Sequence, residues 1–206
     1  MSSNRVLKLY NARLNVLEQL EEIGYDVSEY KNFSINAVDV MSQNTQMDML
    51  VKREIDNKKV YIHFVDAGFA KKHLDELIEE LFEIENALNV EDTLIVISND
   101  EPNDTLLSRL KYVWEQSKYM VVVQNIKRLQ YNVLKHQYVP PCAILNEQQV
   151  TEFKQKFSIQ TSKQLPEISR FDPQALAICL RPGDIVQFER KSETAMTYNY
   201  YRVCVN

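Results

Sequence analysis

Between Arg5 and Ile23 the apolar residues Val6, Leu9, Val16, Leu20 and Ile23, flanked by Leu7, Tyr10, Leu14 and Leu17, recur at helical spacing. That pattern predicts an amphipathic helix, and Gly24 stands where a left-handed C-terminal cap would end it. Ser34 predicts the N-cap of a second, short helix through Ala37, Val38 and Met41. Met47, Met49, Val51, Arg53 and Ile55 then alternate with mostly polar neighbours, Asp56-Asn57-Lys58 interrupts, and Val60 to Val65 resumes as a β-rich run. This order predicts a hairpin. Leu74, Leu77, Ile78, Leu81, Phe82 and Leu88 keep the helical period over one long segment. Leu94 to Ile97 and Met120 to Val123 are continuous apolar strands, separated by a helix that Asp104 caps and that carries Leu107, Leu110, Val113 and Trp114. Uninterrupted apolar strands between amphipathic helices are what a sheet covered by helices requires, so an α/β domain is expected up to about Gln130.

The texture changes after Tyr131. Pro140 and Pro141 are adjacent, Pro166, Pro173 and Pro182 follow, and Gly183 is the only glycine of the second half. A domain boundary is expected between Asn132 and Pro141, giving domains of 1–132 and 133–206. Asn146 predicts the cap of a helix carrying Val150, Phe153 and Phe157, and Asp172-Pro173 starts a short helix from Gln174 to Cys179. Arg181-Pro182-Gly183-Asp184 is a turn. Ile185 to Glu189 and Tyr198 to Val205 are two strands joined by a turn within Arg190 to Thr197. The second domain is therefore small and α+β.

Charge and chemistry narrow the function. Twenty-four Lys and Arg against 29 Asp and Glu leave a net charge of −5 over 206 residues, which excludes an autonomous, charge-driven nucleic-acid binder. The polar Met1–Arg5 start and the shortness of every apolar run predict a soluble, intracellular protein without a leader or membrane span. Cys142, Cys179 and Cys204 are odd in number and widely separated, so reduced thiols are expected. With His63, His73 and His136 they share no zinc-ligand spacing, three glycines make no phosphate loop, and no G-x-S-x-G occurs. Neither cofactor nor metal is predicted. A metal-dependent nuclease would need an acid on one strand and acid-x-Lys on the next. Asp48 and Asp56-Asn57-Lys58 fit that pattern superficially, but the triplet is hairpin turn chemistry, and Tyr61-Ile62-His63-Phe64 holds neither acid nor lysine. The basic groups at Lys71, Lys72 and His73, and at Lys127, Arg128 and Lys135, read as solvated surfaces.

One set of motifs is more specific. Leu165-Pro166-Glu167-Ile168, Asp172-Pro173, Arg181-Pro182-Gly183-Asp184-Ile185-Val186, Arg190-Lys191-Ser192-Glu193-Thr194-Ala195 and Tyr201-Arg202 follow one another in this order. Together they resemble the C-terminal signature of the common subunit of cellular RNA polymerases, numbered five in eukaryotes and called H in archaea. His136-Gln137-Tyr138-Val139-Pro140 is similar to that family's linker.

The resemblance implies an N-terminal α/β jaw domain before a C-terminal α+β assembly domain, the eukaryotic layout. It implies a non-catalytic subunit whose C-terminal module docks on the polymerase's largest subunit while the jaw lies near downstream duplex DNA, touched weakly or indirectly. A nuclear protein is expected, or one of a viral factory and virion if the source is a large DNA virus. A free-standing polymerase-binding adaptor is the alternative. Arg181, Asp184, Arg190, Ser192, Glu193, Thr194, Tyr201 and Arg202 are the expected partner-binding residues, because polar groups at such density fix register while the rings of Tyr198, Tyr200 and Tyr201 supply area. Pro102 and Asn103 are the expected DNA-proximal pair. Two departures stand out: Met196 occupies a position where the family has glycine, and the loop Asp100-Glu101-Pro102-Asn103-Asp104 carries three acids, which repel phosphate.

Overall fold

The computed structural model describes residues 2–65 and 71–206, with the side chains of all of these but 2, 3 and 71. The chain divides into two compact units, residues 1–132 and 133–206, each with its own four-stranded sheet.

The first unit opens on α1 (Ser2–Glu22), whose Leu9, Ala12, Val16, Leu17 and Leu20 are buried along one stripe. Gly24, at φ +91°, closes it. Its amide donates to the Glu21 carbonyl at 2.9 Å and the Tyr25 amide to that of Leu20 at 3.0 Å, the paired bonds that satisfy a helix's last free carbonyls. Ser34 caps α2 (Ile35–Gln43) by accepting from the Ala37 amide at 3.2 Å. Strands β1 (Met49–Lys52) and β2 (Lys59–Val65) form the expected hairpin, Lys52 opposite Lys59. The alternation stops short of its predicted end: Ile55 belongs to the turn and is 91% exposed.

Strands β2, β3 (Thr93–Ser98) and β4 (Met120–Asn125) run parallel, so the sheet order is β1-β2-β3-β4. Every residue of β3 and β4 is buried, as strands covered on both faces must be, and each large aliphatic side chain contributes about 1.5–3 kcal/mol by leaving water. Helix α3 (Lys71–Ile78) leads from β2 toward β3, and α4 (Asp104–Ser117) links β3 to β4. The single long helix expected through Leu88 is corrected. After Ile78 the chain widens into a π-helical turn, Glu79–Ile84, which keeps Leu81 and Phe82 buried, leaves Ile84 69% exposed and ends with Asn86 at φ +50°. The α4 cap also differs by one residue. Asn103 accepts from the Leu106 amide at 2.9 Å, and Asp104 is the first helical residue, where its charge meets the positive end of the helix. Among the described residues no helix is long and apolar enough to cross a membrane.

In the second unit Asn146 and Gln149 form a capping box on α5 (Glu147–Lys156). Asp172 caps α6 (Pro173–Ala177), with Pro173 at the position where a missing amide costs nothing; the helix ends two residues earlier than expected, and Cys179 turns to φ +52°. The sheet has order β5-β7-β8-β6. Strands β7 (Ile185–Ser192) and β8 (Met196–Val205) are longer than the sequence suggested, so the turn narrows to 193–195. Two edge strands the pattern did not announce flank them: β5 (Cys142–Ile144), antiparallel to β7, and β6 (Glu167–Ser169), parallel to β8. Each is three residues long, too short for alternation to register.

Met196 sits at φ +60° with its side chain 85% exposed, so a Cβ-bearing residue occupies a left-handed position that packing does little to repay. Met196→Gly is expected to raise stability by about 1 kcal/mol, read as an upward shift in the urea midpoint with unchanged slope.

Candidate functional site

β5 pairs only with 186–188 and β6 only with 203–205, the Glu189 amide adds a bond to the Pro141 carbonyl at 2.9 Å, and beyond residue 189 β7 pairs, among the described residues, only with β8. The far half of the hairpin is thus a two-stranded ribbon, and register decides what each face presents. Val186 is opposite Arg202, Phe188 opposite Tyr200, Arg190 opposite Tyr198 and Ser192 opposite Met196, so these even-numbered residues share one face. The odd-numbered pairs Ile185 and Val203, and Gln187 and Tyr201, share the other.

The even face brings together a compact group. The Arg190 guanidinium lies 4.4 Å from the centroid of the Tyr200 ring and that of Arg202 5.4 Å from the same ring. Stacking on an aromatic face holds both guanidinium groups while leaving most of their donors free for a partner. Arg202 also donates from Nη1 to the Glu167 carbonyl at 3.2 Å, which ties β8 to the start of β6. Tyr198 is 42% exposed along the same face, and Ile144 of β5, opposite Val186, is 40% exposed. Aromatic and arginine side chains beside exposed apolar ones are the composition of interface centres.

At the tip, the Ser192 hydroxyl accepts from the Thr194 and Ala195 amides at 3.3 Å each and lies 3.3 Å from the Thr194 hydroxyl. Ser192 therefore shapes the turn, and Glu193 and Thr194 are exposed on it. Arg181 and Asp184 stand elsewhere. Asp184 begins β7 at the other end, roughly 26 Å from Ser192 at about 3.3 Å per strand residue. Its carboxylate accepts from the Arg181 amide at 3.1 Å and closes the Pro182-Gly183 turn, where Gly183 takes φ +102°.

Tyr201 is on the odd face. Its ring centroid is 4.3 Å from Phe153 and 6.0 Å from Phe157, and it packs on the cluster of Phe153, Leu165, Ile185 and Val203 beneath α5. It is packed into the unit's own core rather than beside Arg190 and Arg202. Of the three tyrosines expected at the interface, Tyr200 takes that place and Tyr198 shares its face, as the period-two parity from Arg202 requires. Arg170, 2% exposed, is a buried charge of the second unit. It donates to the Asn206 side chain at 3.3 Å, and burial holds its pKa down to about 10. Burial, then the nearby Asp184 charge, push the Cys204 thiol up to about 12, so it stays protonated and inert at neutral pH.

In the first unit, Pro102 is half-buried and Asn103 is committed to capping α4. Of the three acids in that loop, Glu101 is paired with Arg128 at 3.0 Å. Lys72 pairs with Glu76 at 3.5 Å, and the Lys71 side chain lies outside the described residues. Asp48 accepts from the Tyr61 hydroxyl at 3.0 Å and the Phe64 amide at 3.3 Å and lies 2.8 Å from His63 Nδ1, a hairpin brace. Among the described residues no three His, Cys, Asp or Glu side chains are grouped to hold a metal.

Comparison with known proteins agrees with the second unit's layout. The family model described as RNA polymerase Rpb5, C-terminal domain, matches residues 131–204. DNA-directed RNA polymerase subunit Rpo5 of Pyrococcus abyssi is 43% identical over 76 residues, 37% of this chain and 92% of that protein. DNA-directed RNA polymerases IV and V subunit 5B of Arabidopsis thaliana is 29% identical across 100% of this chain and 93% of its own. The subunit rpabc1 of polymerases I, II and III of Dictyostelium discoideum is 28% identical, covering 98% of both chains. On this likeness the chain belongs to the subunit 5 family of DNA-directed RNA polymerases and is a non-catalytic subunit of that enzyme.

Proposed function

We propose that the second unit docks on the largest subunit of the polymerase through the even-numbered face of the β7–β8 ribbon, and that the first unit serves as a jaw near downstream DNA. The observation that carries the docking is the stack of Arg190 and Arg202 on Tyr200, at the place where the two-stranded ribbon leaves the sheet. Two guanidinium groups at an aromatic centre call for carboxylates on the facing surface. Glu193 and Thr194 at the tip add polar contacts at the rim. Arg181 and Asp184 act at a distance by fixing the turn from which β7 departs, and Tyr201 by seating the ribbon on its core. The jaw works by position rather than by gripping phosphate: Asp100 and Asp104 flank Pro102 and Asn103, so any approach of DNA there is weak. Full-length relatives from a plant and an amoeba favour action in the nucleus.

The test is the purified enzyme. The chain is expected to remain in unit ratio with the largest subunit through a high-salt wash, because an aromatic-centred interface outlasts screening of its rim charges. Early elution would mean a free-standing adaptor. Divalent-metal-dependent cleavage of DNA by the isolated chain would revive the nuclease alternative and overturn the reading.

A further inference from the structure

Arg13, in the middle of α1, is only 4% exposed. Its Nη1 donates a long bond, 3.4 Å, to the Met47 carbonyl, and its enclosed Nε has no partner. The guanidinium lies 5.1 Å from the centroid of Phe33 and 5.9 Å from that of Tyr30. Among the described residues no carboxylate pairs with it. Lys31, which lines the same cleft, is bound to Glu21. Burial depresses the Arg13 pKa, the mark of a cation removed from water without a counter-ion.

A buried, unpaired guanidinium is costly, and an apolar side chain of similar length would fill this space without that penalty. Solvent repairs little of the defect: the cleft, lined by Tyr10, Leu14, Tyr30 and Phe33, has about 10 Å³ of accessible space, room for about one water, and the enclosed Nε is left without a partner. We propose that this cleft between α1 and α2 receives a carboxylate side chain of another polymerase subunit, with Arg13 as its counter-ion. A carboxylate matches the guanidinium fork in two parallel bonds. The surroundings favour a polypeptide over nucleic acid, since Phe33 and Ile35 are 37% and 44% exposed beside the site, while a phosphate backbone needs several cations and the lining's other cation is already paired. The cleft as it stands has no room for a carboxylate, so entry requires Phe33, 37% exposed and 5.1 Å from the guanidinium, to turn aside. The inference uses family membership and is independent of how the second unit docks.

The full chain carrying Arg13→Met tests it in two opposed readouts. Loss of the unpaired charge is expected to raise the thermal midpoint of the free chain by about 2–4 °C, while its share in polymerase assembled in competition with the unaltered chain falls about tenfold. A lower midpoint would make Arg13 a structural element, and equal incorporation would remove the partner; either result overturns the proposal. Independently, a photoreactive residue in place of Phe33 should label an acidic segment of another subunit in the assembled enzyme. Labelling of nucleic acid, or of no second chain, overturns it too, and Tyr200→Ala assembly measured alongside separates this failure from failure of the ribbon docking.

Discussion

Tyr200→Ala is expected to weaken binding of the full chain to the polymerase's largest subunit by about 2–3 kcal/mol, roughly 30- to 150-fold in Kd. One ring holds two cations on this face, so its loss frees both Arg190 and Arg202 to wander and removes the apolar centre between them. Both guanidinium groups would then have to be ordered on binding, at a cost in side-chain entropy that the present stack has already met. Arg190→Ala should cost less, because Tyr200 and Arg202 remain, and Tyr200→Phe should be nearly silent if the ring rather than the hydroxyl matters. Stability is expected to fall by about 1 kcal/mol at most, since Tyr200 is half-buried. Surface-captured largest subunit titrated with each variant gives the affinities, and thermal unfolding gives the control. Equal affinity for Tyr200→Ala and the unaltered chain would remove the ribbon as the docking surface.

Much of this fold is legible in the residues because local and long-range signals agree there. The caps at Gly24, Ser34, Asn146 and Asp172 are read directly, since each satisfies a specific backbone group by its own chemistry. The buried parallel strands β3 and β4 are equally plain as apolar runs. What fails to register is of two kinds. The π-helical turn at Glu79–Ile84 and the short strands β5 and β6 are decided by packing against other elements, and no residue within them declares it. The face that Tyr201 takes is hidden for a different reason. A motif gives the identity of neighbouring residues but not the face each one takes, and a one-residue difference in a strand reverses the face. Arg190, Ser192 and Arg202 are brought to one side; Tyr201, odd-numbered, seats the ribbon instead.

Phe153→Ala should remove 3–5 kcal/mol of stability, the cost of a large cavity in a small core. Phe153 is 7% exposed, packs at 4.3 Å from Tyr201 and 5.1 Å from Phe157, and holds Leu165, Ile185 and Val203 together under α5. A unit of this size has a total stability of about 4–11 kcal/mol at ordinary values per residue, so most of it is at stake. The expected result is a large drop in urea midpoint together with loss of hydrogen-exchange protection at the amides of β7 and β8. Binding to the largest subunit falls as well, but by a different route from Tyr200→Ala. Here affinity should recover on mild cooling or with Phe153→Leu, which refills most of the space, whereas the Tyr200→Ala deficit should persist in a fully folded chain. If Phe153→Ala leaves the midpoint unchanged, the odd face does not pack the core under α5, and the assignment of docking to the even face loses its basis, because the parity that sets Tyr201 against Phe153 is the same parity that puts Arg190, Tyr200 and Arg202 on the opposite face, buried at Val186 and Phe188 and open toward the tip.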